Sequence, residues 1–195
     1  MKNVYSNGKK YYHGSKTEIS GGILYPNQAF NSIQDKVCSG VFVTSDIADA
    51  KFFAINRCIS GNGHTRLEGK KIYLERLSSN IQRHFFVYSL YETLENPFVH
   101  DRGTEYYSVK PIQIVDTEKF NTAEEIKKAG YEVYVLNEPL ERSSYKKTDN
   151  NFDVQEKMAK LIEEKKYHRV DIEKEMEKQS KSMFRRIFHT FLQHT

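Results

Sequence analysis

The sequence has no tryptophan, only four prolines and only two cysteines in 195 residues. Cys38 and Cys58 are too few for a disulfide framework or a cysteine-based zinc site, so a reducing compartment is the default expectation. No apolar run approaches the roughly 20 residues that a membrane-spanning helix needs. The net charge of +4 is small, and this excess of basic residues is too dilute to predict a DNA-binding protein.

What the chain does have is tyrosine and phenylalanine, 13 and 12 residues respectively, many of them in short strand-like runs. This aromatic content can build a hydrophobic core, which excludes wholesale disorder. Residues 1–140 alternate short apolar runs with Gly, Asn, Ser and Pro, a pattern typical of strands and turns. Residues 150–195 contain no Gly or Pro and are rich in Glu, Lys, Gln and Met, which predicts helix.

Local signals place individual elements in the first region. Strands are predicted at 10–12, 40–44, 71–75, 84–88, 105–109, 112–116 and 131–136. One helix is predicted over 45–57 with Asp46 as its N-cap. A second helix is predicted to begin at the capping box at Thr122 and to end at Gly130. The glycine-rich stretch 60–69 is expected to be a long, mobile loop. Many strands, few helices and no regular βαβ alternation predict an α+β fold with mostly antiparallel sheets.

Three short segments carry residue types that suit a binding or catalytic site. The first is Tyr12-His13-Gly14-Ser15, in which an apolar strand ends in a histidine followed by glycine. The second runs from Phe42 through a small-residue turn to Phe53, eleven positions later. The third opens with Glu105 and reaches Pro111 six positions later. Taken separately, each is more often explained by a scaffold role: a strand-end histidine, a turn glycine, two core rings and a solvated carboxylate.

Together and in this order, the segments resemble the His-Tyr-Glu class of ADP-ribosyltransferases, which includes diphtheria-type toxins and poly-ADP-ribose polymerases. Members of that class carry a Tyr-His-Gly motif on a first strand and two aromatic residues eleven positions apart on a second strand and its helix. A glutamate opens their third strand. The resemblance covers residues 10–120. The stretch 16–26 and the strand 71–75 are also similar to small rifamycin-modifying ADP-ribosyltransferases.

The resemblance implies a split-sheet, NAD-binding domain over residues 1–140, with NAD as a substrate and no metal. Glu105 would be the catalytic carboxylate, stabilising positive charge on the ribose as the nicotinamide–ribose bond breaks. His13 would hydrogen-bond a ribose hydroxyl and so set the position of NAD. Gly103 stands two positions before Glu105, so the paired acids of arginine-modifying members are absent.

Four further residues would bind the dinucleotide in this scheme. The backbone of Gly14 would hold the nicotinamide carboxamide, and Ser15 would add a polar contact. Phe42 and Phe53 would stack on the two faces of the nicotinamide ring. The class normally has tyrosine at the position of Phe42, so a hydroxyl is missing here. We expect stacking to remain and the affinity or rate to change.

The sequence thus predicts a mono-ADP-ribosyltransferase of the kind that serves as a bacterial toxin, effector or modifying enzyme. The expected acceptor is a protein side chain, with a small molecule such as an antibiotic or a nucleic-acid end as alternatives. An NAD glycohydrolase would use water instead. A catalytically silent nucleotide-binding or adaptor module is the alternative from another class. No DNA partner is expected, the oligomeric state is left open, and the expected location is the cytoplasm, or a host cytosol after export without a cleavable signal.

Residues 141–195 are predicted to form a charged helical extension, in which 163–182 is a solvated helix held by charge pairs. After Glu177 there are four basic residues and no acid. Apolar residues recur there at helical spacing: Met183, Phe184, Ile187, Phe188, Phe191 and Leu192. The favoured interpretation is that this face packs on the first domain or on a second copy of the chain. The alternative is a basic amphipathic element that touches a membrane surface or a partner.

Overall fold

A computed structural model describes residues 5–31, 36–61, 63–138 and 151–192. Within these ranges the chain forms thirteen β-strands and four α-helices, and the strand pairs are mostly antiparallel. The coarse α+β class predicted from the sequence is therefore confirmed. The chain divides into two compact units, residues 1–55 with 84–120 and residues 56–83 with 121–195. This division does not coincide with the boundary expected between residues 140 and 141.

Most strands and helices lie within one of the two units. The first unit contains β1 (Tyr5–Ser15), β2 (Ile23–Leu24), β3 (Asn27–Asn31), β4 (Lys36–Thr44), β7 (His84–Thr93), β8 (Val99–Arg102), β9 (Glu105–Ser108), β10 (Ile112–Gln113) and β11 (Asp116–Asn121), which ends at the boundary. The second contains β5 (Thr65–Glu68), β6 (Lys71–Leu74), α2 (Thr122–Ala129), β12 (Glu132–Leu136), α3 (Asn151–Glu163), β13 (Tyr167–Val170) and α4 (Ile172–Leu192). Helix α1 (Ile47–Ser60) begins in the first unit and ends in the second.

The first unit is built on a seven-stranded sheet with the order β11-β7-β1-β4-β9-β8, and β3 pairs with the first half of β4. Strand β1 pairs with β7 from Lys10 to Ser15. Among the described residues, β1 pairs with β4 only where Tyr12 lies opposite Thr44. Strand β4 instead continues alongside β9. Beyond Tyr12, therefore, the backbones of β1 and β4 are no longer paired, and we call the region between these two strand edges the gap.

One buried hydrophobic cluster of the first unit lies on one face of this sheet. It consists of Tyr11, Leu24, Val41, Val43, Phe86, Tyr88, Leu90, Phe98 and Ile112. The Tyr11 ring meets the rings of Phe98 and Tyr106 edge-on, with centroid distances of 4.8 and 5.0 Å. Because successive residues of a strand face opposite sides, Phe42 and Thr44 lie on the other face.

Helix α1 packs against that other face, directly on β1 at Gly14. A Cβ atom at this position would lie 1.9 Å from the carbonyl oxygen of Ala50 and 3.1 Å from the Cβ of Ala54. Both alanines are buried. Small residues on the strand and on the helix therefore permit a close approach of the two backbones. The predicted N-cap is confirmed, because Asp46 Oδ1 accepts a hydrogen bond of 2.8 Å from the backbone N–H of Ala48.

The second unit contains a four-stranded sheet with the order β13-β12-β6-β5. Strands β6 and β12 run parallel, whereas β5–β6 and β12–β13 are antiparallel pairs. Helix α3 packs on this sheet through a buried cluster of Tyr73, Val154 and Met158. The ring of Tyr73 stacks on that of Tyr134 at 5.1 Å. Aromatic residues thus supply much of this smaller core too.

The beginning of α2 differs from the prediction, and its end does not. Its N-cap is Asn121 rather than Thr122, because Asn121 Oδ1 accepts hydrogen bonds from the first turn, including one of 3.0 Å from the N–H of Ala123. The Thr122 hydroxyl donates instead to the carbonyl oxygen of Gln82 at 2.7 Å. Gly130 ends the helix in the left-handed conformation at φ 68°, as expected of a C-terminal glycine.

Two stretches assigned to a single type of structure contain strands. The expected loop 60–69 includes β5, which pairs with β6 in antiparallel register. The expected helix 163–182 is interrupted by β13, which pairs with β12. Both strands have only four residues, and their sequences lack the strict alternation of apolar and polar residues that marks a half-buried strand. Their pairing partners therefore decide their conformation.

Helix α4 buries Ile172 and Met176 near its start and exposes Met183 and Phe184 (64% and 74%) further along. The remaining apolar side chains of the predicted stripe, at 187–192, lie outside the described side chains. No helix in the described ranges has both the length and the apolar character that crossing a bilayer requires.

Replacing Gly14 by alanine is expected to destabilise the protein by about 1–3 kcal/mol, because the new methyl group would overlap the α1 backbone. The matched control is Gly40→Ala on β4, where the nearest atoms to a new Cβ are at 3.5–3.6 Å, an ordinary contact. Urea unfolding followed by circular dichroism measures both. Equal unfolding midpoints for the two variants would contradict the close packing of α1 on β1.

Candidate functional site

The three segments singled out in the sequence lie on adjacent strands. Thr44 of β4 is paired with Tyr12 of β1 on one side and with Glu105 of β9 on the other. Since neighbouring strands are about 4.8 Å apart, the Cα atoms of Tyr12 and Glu105 are separated by about 10 Å. The fold therefore brings His13, the residue after Tyr12, and Glu105 into the same part of the first unit.

His13 is the first residue of β1 beyond the point where β1 and β4 part. Its Nδ1 lies 2.7 Å from the carbonyl oxygen of Phe42. A carbonyl oxygen only accepts hydrogen bonds, so Nδ1 carries a proton and donates it. In the neutral ring, Nε2 is then an acceptor. Within the part of the chain that the structure describes, Nε2 has no protein partner, so it can accept a hydrogen bond from a ligand hydroxyl.

The protonation state of His13 follows from its surroundings. Burial lowers the pKa of His13 below its ordinary value of 6.5, and the hydrogen bond to Phe42 offsets only part of that effect. The ring is therefore neutral near neutral pH. That is the form in which Nε2 can accept a hydrogen bond.

His13 and Glu105 belong to opposite faces of the sheet. Strand alternation puts His13 on the side of Tyr11 and of Tyr88, whose ring centroid is 6.4 Å from that of His13. Glu105 lies directly across from Thr44 and shares its face. A ligand can touch both side chains only if it enters the gap between β1 and β4. The gap is thus the candidate site.

Gly14 and Ser15 continue β1 along this gap, and each already has a structural role. Gly14 admits the backbone of α1. The Ser15 hydroxyl donates to the carbonyl oxygen of Thr17 at 2.9 Å and accepts from the N–H of Thr17 at 3.2 Å, which closes a local turn. Their contacts with NAD stay predictions.

The two aromatic residues of the second segment have different surroundings. The half-buried ring of Phe42 lies 6.0 Å from that of Tyr107 on β9. The ring of Phe53 on α1 is 43% exposed and lies 6.0 Å from that of Phe52. This exposure does not fit the interpretation of Phe53 as a core residue. It leaves part of a large aromatic surface open to stacking.

Glu105 opens β9 and is held by an ion pair. Its Oε2 lies 3.0 Å from Nε of Arg102, which is the residue opposite Glu105 at the end of β8. The reversal between the two strands uses Gly103, whose φ of 48° is in the left-handed region. The Glu105 side chain is 26% exposed, so it is still accessible.

The same hairpin is fastened to the beginning of α1. The Thr104 hydroxyl donates a hydrogen bond to the carboxylate of Asp49, and the Thr104 carbonyl oxygen accepts one of 2.9 Å from the N–H of Ser45. Helix α1 therefore touches β1 at Gly14 and the β8–β9 hairpin at Thr104. Through these contacts, α1 fixes the positions of the three segments relative to one another.

The sequence did not reveal three residues that shape this site. Arg102 was recognisable only from the hairpin register that pairs it with Glu105. The Tyr88 hydroxyl, which accepts from the N–H of Ile19 at 2.7 Å and donates to the Thr17 carbonyl oxygen, anchors the segment after β1. Tyr107 lies against Phe42 because their strands are neighbours. Only the hairpin signal, a glycine between two short strands, was present locally.

Comparisons with protein-family models, with curated proteins and with solved structures find no match for this chain. In the described ranges, no group of three or more His, Cys, Asp or Glu residues is placed to hold a metal ion. Any functional conclusion therefore rests on the residues around the gap.

The free energy of unfolding is expected to fall as the pH drops below 6.5, partly because of His13. Its folded-state pKa is lowered, so the unfolded chain binds a proton that the folded protein does not. The contribution of neutral His13 to the free energy of unfolding is fully lost once the pH is below its folded-state pKa. Urea unfolding of the wild type and of His13→Gln is measured at about pH 7.5 and about pH 5.5. The difference between the two proteins separates the loss of stability caused by His13 from the loss caused by protonation of carboxylates. An identical pH dependence in both proteins would show that His13 is not buried in its neutral form.

Proposed function

We propose that this protein is a mono-ADP-ribosyltransferase that moves ADP-ribose from NAD to an acceptor, with a protein side chain as the favoured acceptor. The observation that carries the proposal is the row Tyr12–Thr44–Glu105, which joins the three motif segments across adjacent strands. Their order was visible in the sequence, but their adjacency was not. The divergence of β1 from β4 at this row supports the split-sheet fold that the resemblance implies.

The state of His13 supports a role in holding NAD. With Nδ1 donating to the Phe42 carbonyl oxygen, Nε2 is left as a hydrogen-bond acceptor. A ribose hydroxyl is a donor of the right kind for this atom. The same hydrogen bond fixes the orientation of the ring, so the contact would need little rearrangement. The role is one of binding and positioning.

Glu105 suits the step in which the glycosidic bond breaks. As nicotinamide leaves with the electron pair of the C–N bond, positive charge develops on the ribose at C1′ and its ring oxygen. A carboxylate beside the ribose stabilises that charge. The nucleophilic atom of the acceptor then bonds to C1′ and gives up its proton. A carboxylate in hydrogen-bonding distance of that nucleophile can receive the proton.

The rings of Phe42 and Phe53 are the candidates for stacking on nicotinamide. Phe53 is exposed on α1, and Phe42 lies on the face of β4 against which that helix packs. Stacking requires only a flat apolar surface, which phenylalanine provides as well as tyrosine. The missing hydroxyl at position 42 is therefore expected to affect the strength of binding more than its mode.

Replacing Glu105 by glutamine is expected to lower the rate of ADP-ribose transfer by about 10²–10³-fold, because the amide cannot stabilise a developing cation as a carboxylate does. The binding of NAD should change little. Labelled NAD is incubated with candidate lysates, nicotinamide release is quantified, and modified molecules are identified by mass spectrometry. The matched control is Glu132→Gln, since Glu132 is also a strand carboxylate in a 3.0 Å ion pair with an arginine.

This experiment also separates the alternatives. Stoichiometric release of nicotinamide from NAD without any acceptor would identify an NAD glycohydrolase. Binding of NAD with equal traces of nicotinamide from the wild type and Glu105→Gln would identify a silent nucleotide-binding module. No detectable NAD binding by any variant would refute the assignment of the gap as the NAD site.

Phe42 allows NAD binding to be tested independently of catalysis. Phe42→Leu should weaken the affinity for NAD by about tenfold, because stacking on a flat base contributes about 1–3 kcal/mol. Phe42→Tyr keeps the ring and should bind at least as tightly as the wild type. Isothermal titration calorimetry on the three proteins provides the comparison. Equal affinities for the leucine and tyrosine variants would rule out stacking at this position.

A further inference from the structure

The ion pair between Arg102 and Glu105 is set by the backbone. The two residues face each other across the β8–β9 hairpin, and Gly103 and Thr104 make the reversal between them. Nε of Arg102 lies 3.0 Å from Oε2 of Glu105. Since the register of the hairpin fixes both Cα positions, the guanidinium meets the carboxylate without rearrangement of the chain.

The Glu105 carboxylate has one engaged oxygen among the contacts of the described residues. Within the described ranges, Oε1 has no hydrogen-bond partner, whereas Oε2 accepts from Arg102. A glutamate side chain has several rotatable bonds and loses about 1.5–2 kcal/mol of conformational freedom when it is fixed. An arginine that holds one oxygen removes part of this freedom beforehand. The second oxygen stays available to a substrate.

The two carboxylates at the start of α1 have hydrogen-bond partners of their own. Asp49 accepts from the Thr104 hydroxyl, and Asp46 caps the start of α1. Arg102 is 57% exposed, so the pair is close to solvent, where such pairs add only about 0–1 kcal/mol to stability. A large contribution to folding is not expected of it.

We infer that Arg102 is a positioning residue for the reaction, which orients the Glu105 carboxylate before NAD binds. This inference rests on the proposed function, in which Glu105 acts on the ribose. A displacement of about 1 Å in a catalytic group can cost 10²-fold in rate. Arg102 itself need not contact NAD. Its effect is transmitted through Glu105, which distinguishes it from a residue that binds the substrate.

The second unit provides a closely matched control pair. Arg169 and Glu132 are also separated by 3.0 Å, and their side chains are 64% and 34% exposed, against 57% and 26% for Arg102 and Glu105. The two pairs share their charged groups, distance and degree of exposure, and they differ in that Glu132 Oε2 also accepts a hydrogen bond of 3.1 Å from the Tyr134 hydroxyl. Arg169→Gln therefore measures what the loss of an ordinary surface ion pair does to this protein.

The experiment measures nicotinamide release and NAD affinity for the wild type, Arg102→Gln, Arg102→Lys and Arg169→Gln. Arg102→Gln should lower kcat at least tenfold and change the NAD dissociation constant less than twofold. Arg102→Lys should recover part of the loss, since it restores the charge without the planar donor group. In the Glu105→Gln background, Arg102→Gln should cause no further loss, because the two residues act as one unit.

Unfolding midpoints of all variants within the range of Arg169→Gln show that the folded state is retained. A kcat for Arg102→Gln equal to that of Arg169→Gln would overturn the inference and leave the proposed function intact. An increased kcat would also overturn it, by showing that Arg102 restrains Glu105. If the wild type releases no more nicotinamide than Glu105→Gln, the proposed function itself is wrong, and the role of Arg102 falls with it.

Discussion

The candidate site depends on the single position at which β1 and β4 are paired, where Tyr12 lies opposite Thr44. Beyond it, β1 stays with β7 and β4 stays with β9, so two facing strand edges lose their mutual hydrogen bonds. Backbone donors and acceptors need partners. The imidazole of His13 satisfies one of them, the carbonyl oxygen of Phe42, and acquires a fixed tautomer by doing so. The end of the pairing thus frees a carbonyl oxygen for His13 and fixes the tautomer of its ring.

Local patterns predicted the parts of the fold whose stability is local. The strands around His13, Phe42 and Glu105, the helix after Asp46 and the glycine that ends α2 all have strong signals within a few residues. Strands β5 and β13 have no such signal, because the partner strand determines their conformation. The choice of Asn121 over Thr122 as N-cap has a similar cause. Both residues are good caps, and a hydrogen bond from Thr122 to the distant Gln82 decides between them.

The site shows the same division between local and long-range information. Residue types and spacing singled out His13, Gly14, Phe42 and Glu105, but they could not indicate that strand alternation places His13 and Glu105 on opposite faces. Contacts such as that of Arg102 with Glu105 depend on strand register. Contacts such as that of Thr104 with Asp49 depend on how a helix meets a hairpin. Register and packing are properties of the folded chain. A sequence motif can therefore indicate which residue types act in the site, but not how they are arranged in space.

The parallel pairing of β6 with β12 has a consequence for folding during synthesis on the ribosome. Strands β7 to β11 lie between these two partners in the sequence, and all of them belong to the other unit. A nascent chain therefore exposes β5 and β6 long before β12 has been synthesised. During that interval β6 has an unpaired edge that is open to non-native strand pairing.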